Sequence, residues 1–258
     1  MDRKPQLIVI GGGLAGCEAA WQAAQRDVQV FLYEMRPFHS TGAHTSDRLA
    51  ELVCSNSLGS RLPDRATGVL QNECRRLRSL LIDCADKTQT PAGGALAVDR
   101  VAFSSLVEQY ITTHPNIKVI REEIDFIPQK PVIIASGPLT SPSLAKAIIQ
   151  LSGQDSLFFY DAIAPIVKGD TINMNIAFKA SRYNRGEQEE GDYINCPFTK
   201  EQYELFINEL INAERIELKP FENNIKDGVN AGVKQFFEGC LPVEVLAKRG
   251  VQSLAFGP

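Results

Sequence analysis

The chain has 258 residues, enough for one large domain or two modest ones. With 44% hydrophobic and 22% charged residues it is neither a disordered tail, a collagen-like repeat nor a disulfide-dense miniprotein. A net charge of −4 supplies no bulk basic field, so a nucleic-acid partner would have to meet local patches.

No apolar run approaches the roughly 18 residues of a membrane-spanning helix. Gly11, Gly12 and Gly13 end the apolar start of the chain before it takes the form of a secretory signal. A soluble, cytoplasmic protein without a membrane partner is expected. The 6 cysteines contain no CxxC pair and stand beside only 3 histidines, which points to free thiols and no metal site.

In chain order, Leu7–Ile10 reads as a buried strand, Gly11 to Gly16 as a glycine turn and Cys17 to Gln25 as a helix. The glycines at 11, 13 and 16 form GxGxxG, a second strand follows at Val28 to Tyr33, and Glu34 closes it 18 residues after Gly16. Together these make a dinucleotide-binding βαβ fingerprint. Gly11 permits the tight turn, Gly13 lets a pyrophosphate approach the backbone, and Gly16 allows helix and strand to pack closely. The helix start, with the amides of Leu14, Ala15 and Gly16, offers donors to phosphate, and Glu34 can accept from a ribose diol. This fingerprint alone does not divide FAD from NAD(P).

Further on, a helix is predicted near Val69 to Ile82, a loop at Thr90 to Ala95, a helix at Arg100 to Thr113 and a strand at Ile117 to Arg121. Gly93-Gly94 reads equally as an ordinary turn or as a cofactor-facing loop. Pro131 to Ala135 is a second buried strand running into Ser136-Gly137. The helix after it starts at Ser141-Pro142 and runs through Leu151. From about Leu157, short strands are expected at Phe158 to Tyr160, Ile172 to Phe178 and Tyr193-Ile194. Thr199 to Gln202 is a capping box opening a helix to Asn212. Lys179 and Arg182 to Arg185 join basic and aromatic character, as an RNA-facing loop or a solvated turn would.

Two cysteines stand out by their neighbours. Cys240 precedes Leu241-Pro242 and a predicted helix Val243 to Arg249, whose start would lower a thiol pKa. Cys54 ends an apolar approach and opens the small polar run Ser55-Asn56-Ser57, which is costly to bury unless hydrogen-bonded. Either cysteine is reactive or merely packed on these grounds.

The Ala135-Ser136-Gly137 turn resembles the Ala-Thr-Gly turn of two-dinucleotide-domain flavoproteins, which favours FAD. More specifically, the strings Tyr33 to Pro37, Glu51 to Leu58, Pro91 to Arg100, Ala177 to Tyr183 and Phe237 to Glu244, with the glycine turn, resemble the folate- and FAD-dependent tRNA (uracil-5-)-methyltransferases, the TrmFO family. The resemblance runs along the whole chain and matches that family's N-terminal portion. It implies methylation of the T-loop uridine of tRNA at carbon 5, with methylenetetrahydrofolate as one-carbon donor and NAD(P)H as reductant through FAD. It also implies cofactor contacts from Gly11, Gly12, Gly13, Leu14, Ala15, Gly16, Glu34 and Arg36. Cys240 would be the thiolate that adds to the base and Cys54 the general base.

The expected fold is α/β: a Rossmann-like FAD-binding βαβ core over 1–155, incomplete at its C-terminal side, a small inserted α+β domain over 156–233 and a return segment over 234–258. Members of that family run well past Pro258, so the chain is expected to lack the closing elements of the flavin domain. An inactive FAD- or tRNA-binding remnant and a general NAD(P)H-linked flavin oxidoreductase are the alternatives. The latter has no use for two such cysteines.

Overall fold

The structure is a computed structural model, and it describes residues 6–41, 43–53, 55–153, 167–181, 190–214, 243–248 and 250–254. The chain divides into two units, Met1–Leu157 with Ala180–Tyr193, and Phe158–Lys179 with Ile194–Pro258.

The first unit is built on a parallel four-stranded sheet. Its strands are β1 (Gln6–Ile10), β2 (Gln29–Glu34), β6 (Ile117–Arg121) and β7 (Val132–Ile134), in the order β6-β2-β1-β7. The register pairs Ile10 with Tyr33 and with Ile134. Alternate residues of β1 serve opposite faces, as the two-residue period of a strand requires. Val9, with Val30 and Leu32 of β2, packs into the main core beneath α1 (Leu14–Ala24), α3 (Leu80–Lys87) and α4 (Arg100–Thr113). Ile8 and Ile10 face a smaller cluster with Ile124, Leu144 and Ile148, the last two from α5 (Pro142–Ser152). After β1, the chain adds β2 and β6 on one side and then returns to place β7 on the other. The carboxyl ends of β1 and β7 therefore border a topological switch point, where open α/β sheets bind ligands.

Helix starts follow local chemistry. The Asp99 carboxylate accepts from the amides of Val101 and Ala102, each at 2.9 Å, and so opens α4 where the sequence predicts it. Ser141 caps α5, and Gly153, at φ 69°, closes it in the left-handed region.

Three sequence expectations need correction. The first helix starts at Leu14, not Cys17, because the last residues of the glycine turn are already helical and the Cys17 amide donates to Gly13 O at 3.0 Å. The helix predicted near Val69 to Ile82 is two helices, α2 (Ala66–Arg76) and α3. Between them Arg78 adopts φ 59°, and Ser79 caps α3 through the Ile82 amide. The Glu18 carboxylate of α1 accepts from Ser79 Oγ at 2.9 Å and from the Leu81 amide at 3.0 Å. A tertiary anchor thus breaks the helix where no glycine or proline announces a break. Residues 172–177 form turns, and a strand, β8 (Phe178–Ala180), begins only at Phe178, pairing with β9 (Tyr193–Asn195).

A three-stranded antiparallel sheet completes the first unit: β3 (Ser57–Ser60), β5 (Ala95–Val98) and β4 (Gln89–Thr90), in the order β3-β5-β4. Gly93, at φ 59°, turns the β4–β5 hairpin, so the Gly93-Gly94 pair is a hairpin turn. In the second unit, α6 (Lys200–Asn212) opens on the expected capping box. Thr199 Oγ1 accepts from the Gln202 amide at 3.2 Å, and Gln202 Oε1 accepts from the Thr199 amide at 2.9 Å. Phe198 stacks on Phe206 across the start of this helix, with ring centroids 5.5 Å apart, and α7 spans Val243–Lys248. No helix among the described residues is long and apolar enough to cross a membrane.

Candidate functional site

The glycine turn lies at the switch point, and each glycine there has a distinct physical reason. Gly11 has φ 106°, and a Cβ on it would stand 2.7 Å from Ala135 O, so the turns after β1 and β7 touch backbone to backbone. A Cβ on Gly16 would collide with Gly11 O. A Cβ on Gly13, by contrast, would meet nothing within 4 Å. Gly13 is also the N-cap of α1 and no side chain caps that helix, so its first-turn amides receive no side-chain acceptor. An anion suits that position.

Glu34 ends β2 beside this turn and is only 6% exposed. Its Oε2 accepts from the Gly12 amide at 2.9 Å, and its Oε1 accepts from the Arg36 amide at 3.0 Å and from Arg36 Nε at 2.9 Å. A carboxylate has about four acceptor positions, so one on Oε2 is left for a ligand hydroxyl. Burial alone pushes the Glu34 carboxyl upward, but the bonds from Arg36 and Gly12 outweigh it and hold the group below the usual carboxylate range. Glu34 is thus ionised and acceptor-only at neutral pH.

Arg36 is 2% exposed and faces Glu34, not open space. Its Nη1 donates to Ser46 O at 3.1 Å and to Glu51 Oε2 at 3.0 Å. Glu51 in turn accepts from the amides and hydroxyls of Thr45 and Ser46, between 2.8 and 3.2 Å. The Ala50 amide donates to Gly12 O at 2.8 Å, and a Cβ on Gly12 would meet the Leu49 side chain. Residues 45–53 are therefore tied to the glycine turn through Arg36–Glu51, Ala50 and Leu49. None of Ser46, Leu49, Ala50 or Glu51 is singled out by sequence reasoning. A buried arginine needs a second acid, but nothing local says which acid in the chain supplies it.

The small polar run after residue 54 is satisfied by backbone. Ser55 Oγ accepts from the Ser57 amide at 3.1 Å, Ser57 Oγ from the Gly59 amide at 3.1 Å, and Asn56 Nδ2 donates to Val98 O at 3.1 Å. Cys54 and Cys240 lie outside the described residues, as do Arg182 to Arg185 and Phe158 to Tyr160. The structure therefore brings Gly11 to Gly16, Glu34 and Arg36 together and describes neither cysteine of the expected chemistry. Cys17, Cys74, Cys84 and Cys196 are all free thiols. Cys17 and Cys84 are buried, and burial, helped by nearby acid charge, pushes each up to about 12.

Residues 6–258 match the family described as Glucose inhibited division protein A. The chain belongs to that family. Relatives of the chain include the methylenetetrahydrofolate–tRNA-(uracil-5-)-methyltransferase TrmFO of Natranaerobius thermophilus, 55% identical over 98% of this chain and 56% of its own length. The protein of the same name from Brevibacillus brevis is 51% identical over 99% of this chain and 55% of its own. The chain thus spans about half the length of the curated relatives it matches. Among solved structures, p-nitrophenol 4-monooxygenase PnpA of Pseudomonas putida DLL-E4 aligns at TM-score 0.33 and 14% identity, over 50% of this chain and 34% of its own.

Proposed function

We propose that this chain is the N-terminal portion of a folate-dependent tRNA (uracil-5-)-methyltransferase and acts on the T-loop uridine, in the cytoplasm, with FAD, methylenetetrahydrofolate and NAD(P)H. The observation that carries this reading is the 51–55% identity, over nearly the whole chain, to relatives named for that activity. The glycine turn supports the flavin part.

The residues present fit a dinucleotide. Gly13 leaves room for a pyrophosphate, the uncapped amides of Leu14, Ala15 and Gly16 would receive it, and Glu34 would accept from the ribose. Arg36, bonded through Nε and Nη1 to Glu34, Ser46 and Glu51, would act as a positioning residue that fixes the Glu34 carboxylate. FAD, when bound, supplies carriage of the one-carbon unit and the hydride that completes the methyl group.

The chain's own chemistry would rest on the two cysteines. Uracil carbon 5 is a poor nucleophile until a thiolate adds at carbon 6. Cys240 would form that sulfur–carbon bond and place the displaced electron pair on the carbonyl oxygen as an enolate. After carbon 5 has gained its substituent, Cys54 would take the carbon 5 proton, and the sulfur–carbon bond would then break.

The test is 5-methyluridine formation on a T-arm RNA supplied with FAD, labelled methylenetetrahydrofolate and NAD(P)H. It is run on this chain and on a version extended to the relatives' length. Label in carbon 5 of uridine supports the reading. Flavin and RNA binding without label in either version would leave a binding remnant, and NAD(P)H oxidation unaffected by RNA and folate would leave a general oxidoreductase.

A further inference from the structure

The C-terminal end of α1, the α2–α3 connection and α4 enclose a groove of about 650 Å³ within the first unit. At a rise of about 1.5 Å per residue, Trp21 on its wall stands about 10 Å along α1 from the phosphate-facing end, and the groove extends beyond it. It is therefore separate from the glycine turn. Trp21 is the chain's one tryptophan, half-buried and edge-on to Tyr110 at a centroid distance of 5.8 Å.

The charges around this groove do not cancel. Both acids on its wall are already matched: Asp86 holds Arg75 through two bonds of 2.8 and 2.7 Å, and Asp83 holds Lys87 at 2.6 Å. Among the described residues Arg26 bonds only to uncharged partners, the carbonyl and side-chain oxygens of Gln22, at 2.7 and 2.9 Å. The Arg78 guanidinium makes no hydrogen bond or ion pair with any described residue, although its backbone is held: its amide donates to Arg75 O at 3.0 Å and its carbonyl accepts from Gln22 Nε2 at 3.2 Å. Two exposed guanidiniums without acid partners among the described residues thus line the same groove as an aromatic ring, in a chain whose overall charge is −4.

We propose that this groove is an RNA contact remote from the cofactor cradle, with Arg26 and Arg78 on backbone phosphate and a base against Trp21. The proposal rests on the tRNA reading above and adds a place for the RNA to be held. Exposed arginines on phosphate and bases on aromatic side chains are the usual chemistry of RNA contact. A small nucleotide held alone would need a closed, mostly buried pocket. The groove instead offers two surface cations and one aromatic edge, which suits a polymer that is also held elsewhere.

The sole tryptophan makes the test direct. The chain, with FAD held constant, is titrated with a T-arm stem-loop RNA while Trp21 emission is followed, at salt from about 50 mM to 200 mM. The expected result is saturable quenching that weakens with salt. In the double variant R26E/R78E the RNA affinity should fall at least tenfold, the quenching should vanish, and the salt slope should shrink by about 1–2. Its melting temperature and FAD affinity should stay at wild-type values.

RNA binding of wild-type strength in R26E/R78E, or binding that leaves Trp21 emission unchanged, overturns the groove. It leaves the methyltransferase reading standing, because that is judged by label in uridine. Quenching by uridine monophosphate as complete as by the RNA also overturns the proposal, since the groove would then be a small-nucleotide site.

Discussion

The Gly12 amide donates to Glu34 Oε2 at 2.9 Å, across 22 residues of sequence, so the middle of the glycine turn and the acid at the end of β2 hold each other in place. Arg36 fixes the other carboxylate oxygen from both its backbone and its side chain. Glu34→Ala should therefore weaken FAD binding by about 1.5–3 kcal/mol, the worth of a hydrogen bond to a charged group. It should also lower the melting temperature, because among the described residues buried Arg36 keeps only Glu51 as an acid partner. Flavin titration and thermal melts check both effects. An unchanged dissociation constant would mean that Glu34 does not touch the ribose.

Gly13 and Gly16 should respond oppositely to alanine. At Gly13, φ is −75° and a Cβ meets nothing, so Gly13→Ala meets no clash and should cost stability only through alanine being a poorer N-cap than glycine, about 1 kcal/mol. The new methyl group enters the space a pyrophosphate would use, so FAD affinity should fall. Gly16→Ala drives a methyl group into Gly11 O and should cost about 1–3 kcal/mol of stability through overpacking, whether or not flavin is present. Urea melts with and without FAD separate the two. A Gly13→Ala chain that binds FAD normally would move the cofactor away from this turn.

What the sequence discloses is chiefly what is local. The glycine turn and the Thr199–Gln202 box each place their determinants within a few residues, and pattern and structure agree at α4 to the residue. The α2–α3 break escapes it because its cause is Glu18, 61 residues from the Ser79 it binds. The tie from Arg36 to Glu51 escapes for a related reason: one guanidinium can serve any acid the fold brings near, and that choice is made by the path of residues 45–53. The early strand expected at Ile172 fails because apolar alternation over 172–178 is shared with turns, and a short strand has too few residues to outvote them.

Acid should destabilise the first unit in two stages. Burial, then the positive charge of Arg36, holds His44 below its ordinary value, so the unfolded chain takes up this proton first and stability starts to fall below about pH 6.5. For Glu51, burial raises the pKa, but the bonds from Thr45 and Ser46 outweigh it, and the net shift is downward, as for Glu34. A carboxylate lowered on folding adds stability that is full above its unfolded value, about 4.3, and is lost as pH falls through the folded value. Urea midpoints at pH 7, 5.5, 4 and 3 should fall gently and then steeply. Glu51→Gln should be less stable at pH 7 and lose part of the steep second stage. A variant with the same acid slope as wild type would show that Glu51 carries no linked proton.

Thiol chemistry gives a final prediction, in which the described cysteines are the controls. Cys17 and Cys84 are buried and pushed up to about 12, so at pH 8 almost none is thiolate, while Cys196 is exposed. Iodoacetamide should modify Cys196 in the native chain and reach Cys17 and Cys84 only after unfolding. Cys240, just before a helix start in the sequence, should alkylate faster than Cys196 if it is the thiolate that adds to uracil. In a protein extended to the relatives' length, Cys240→Ala should then abolish both methyl transfer and any covalent RNA adduct. Cys54→Ala should stop turnover later, after addition at carbon 6 but before loss of the carbon 5 proton, so an adduct through Cys240 should accumulate. Intact-mass spectrometry with T-arm RNA reads both outcomes. An adduct that persists in Cys240→Ala but is lost in Cys54→Ala would exchange the two roles, and normal turnover in Cys54→Ala would remove that residue from the chemistry.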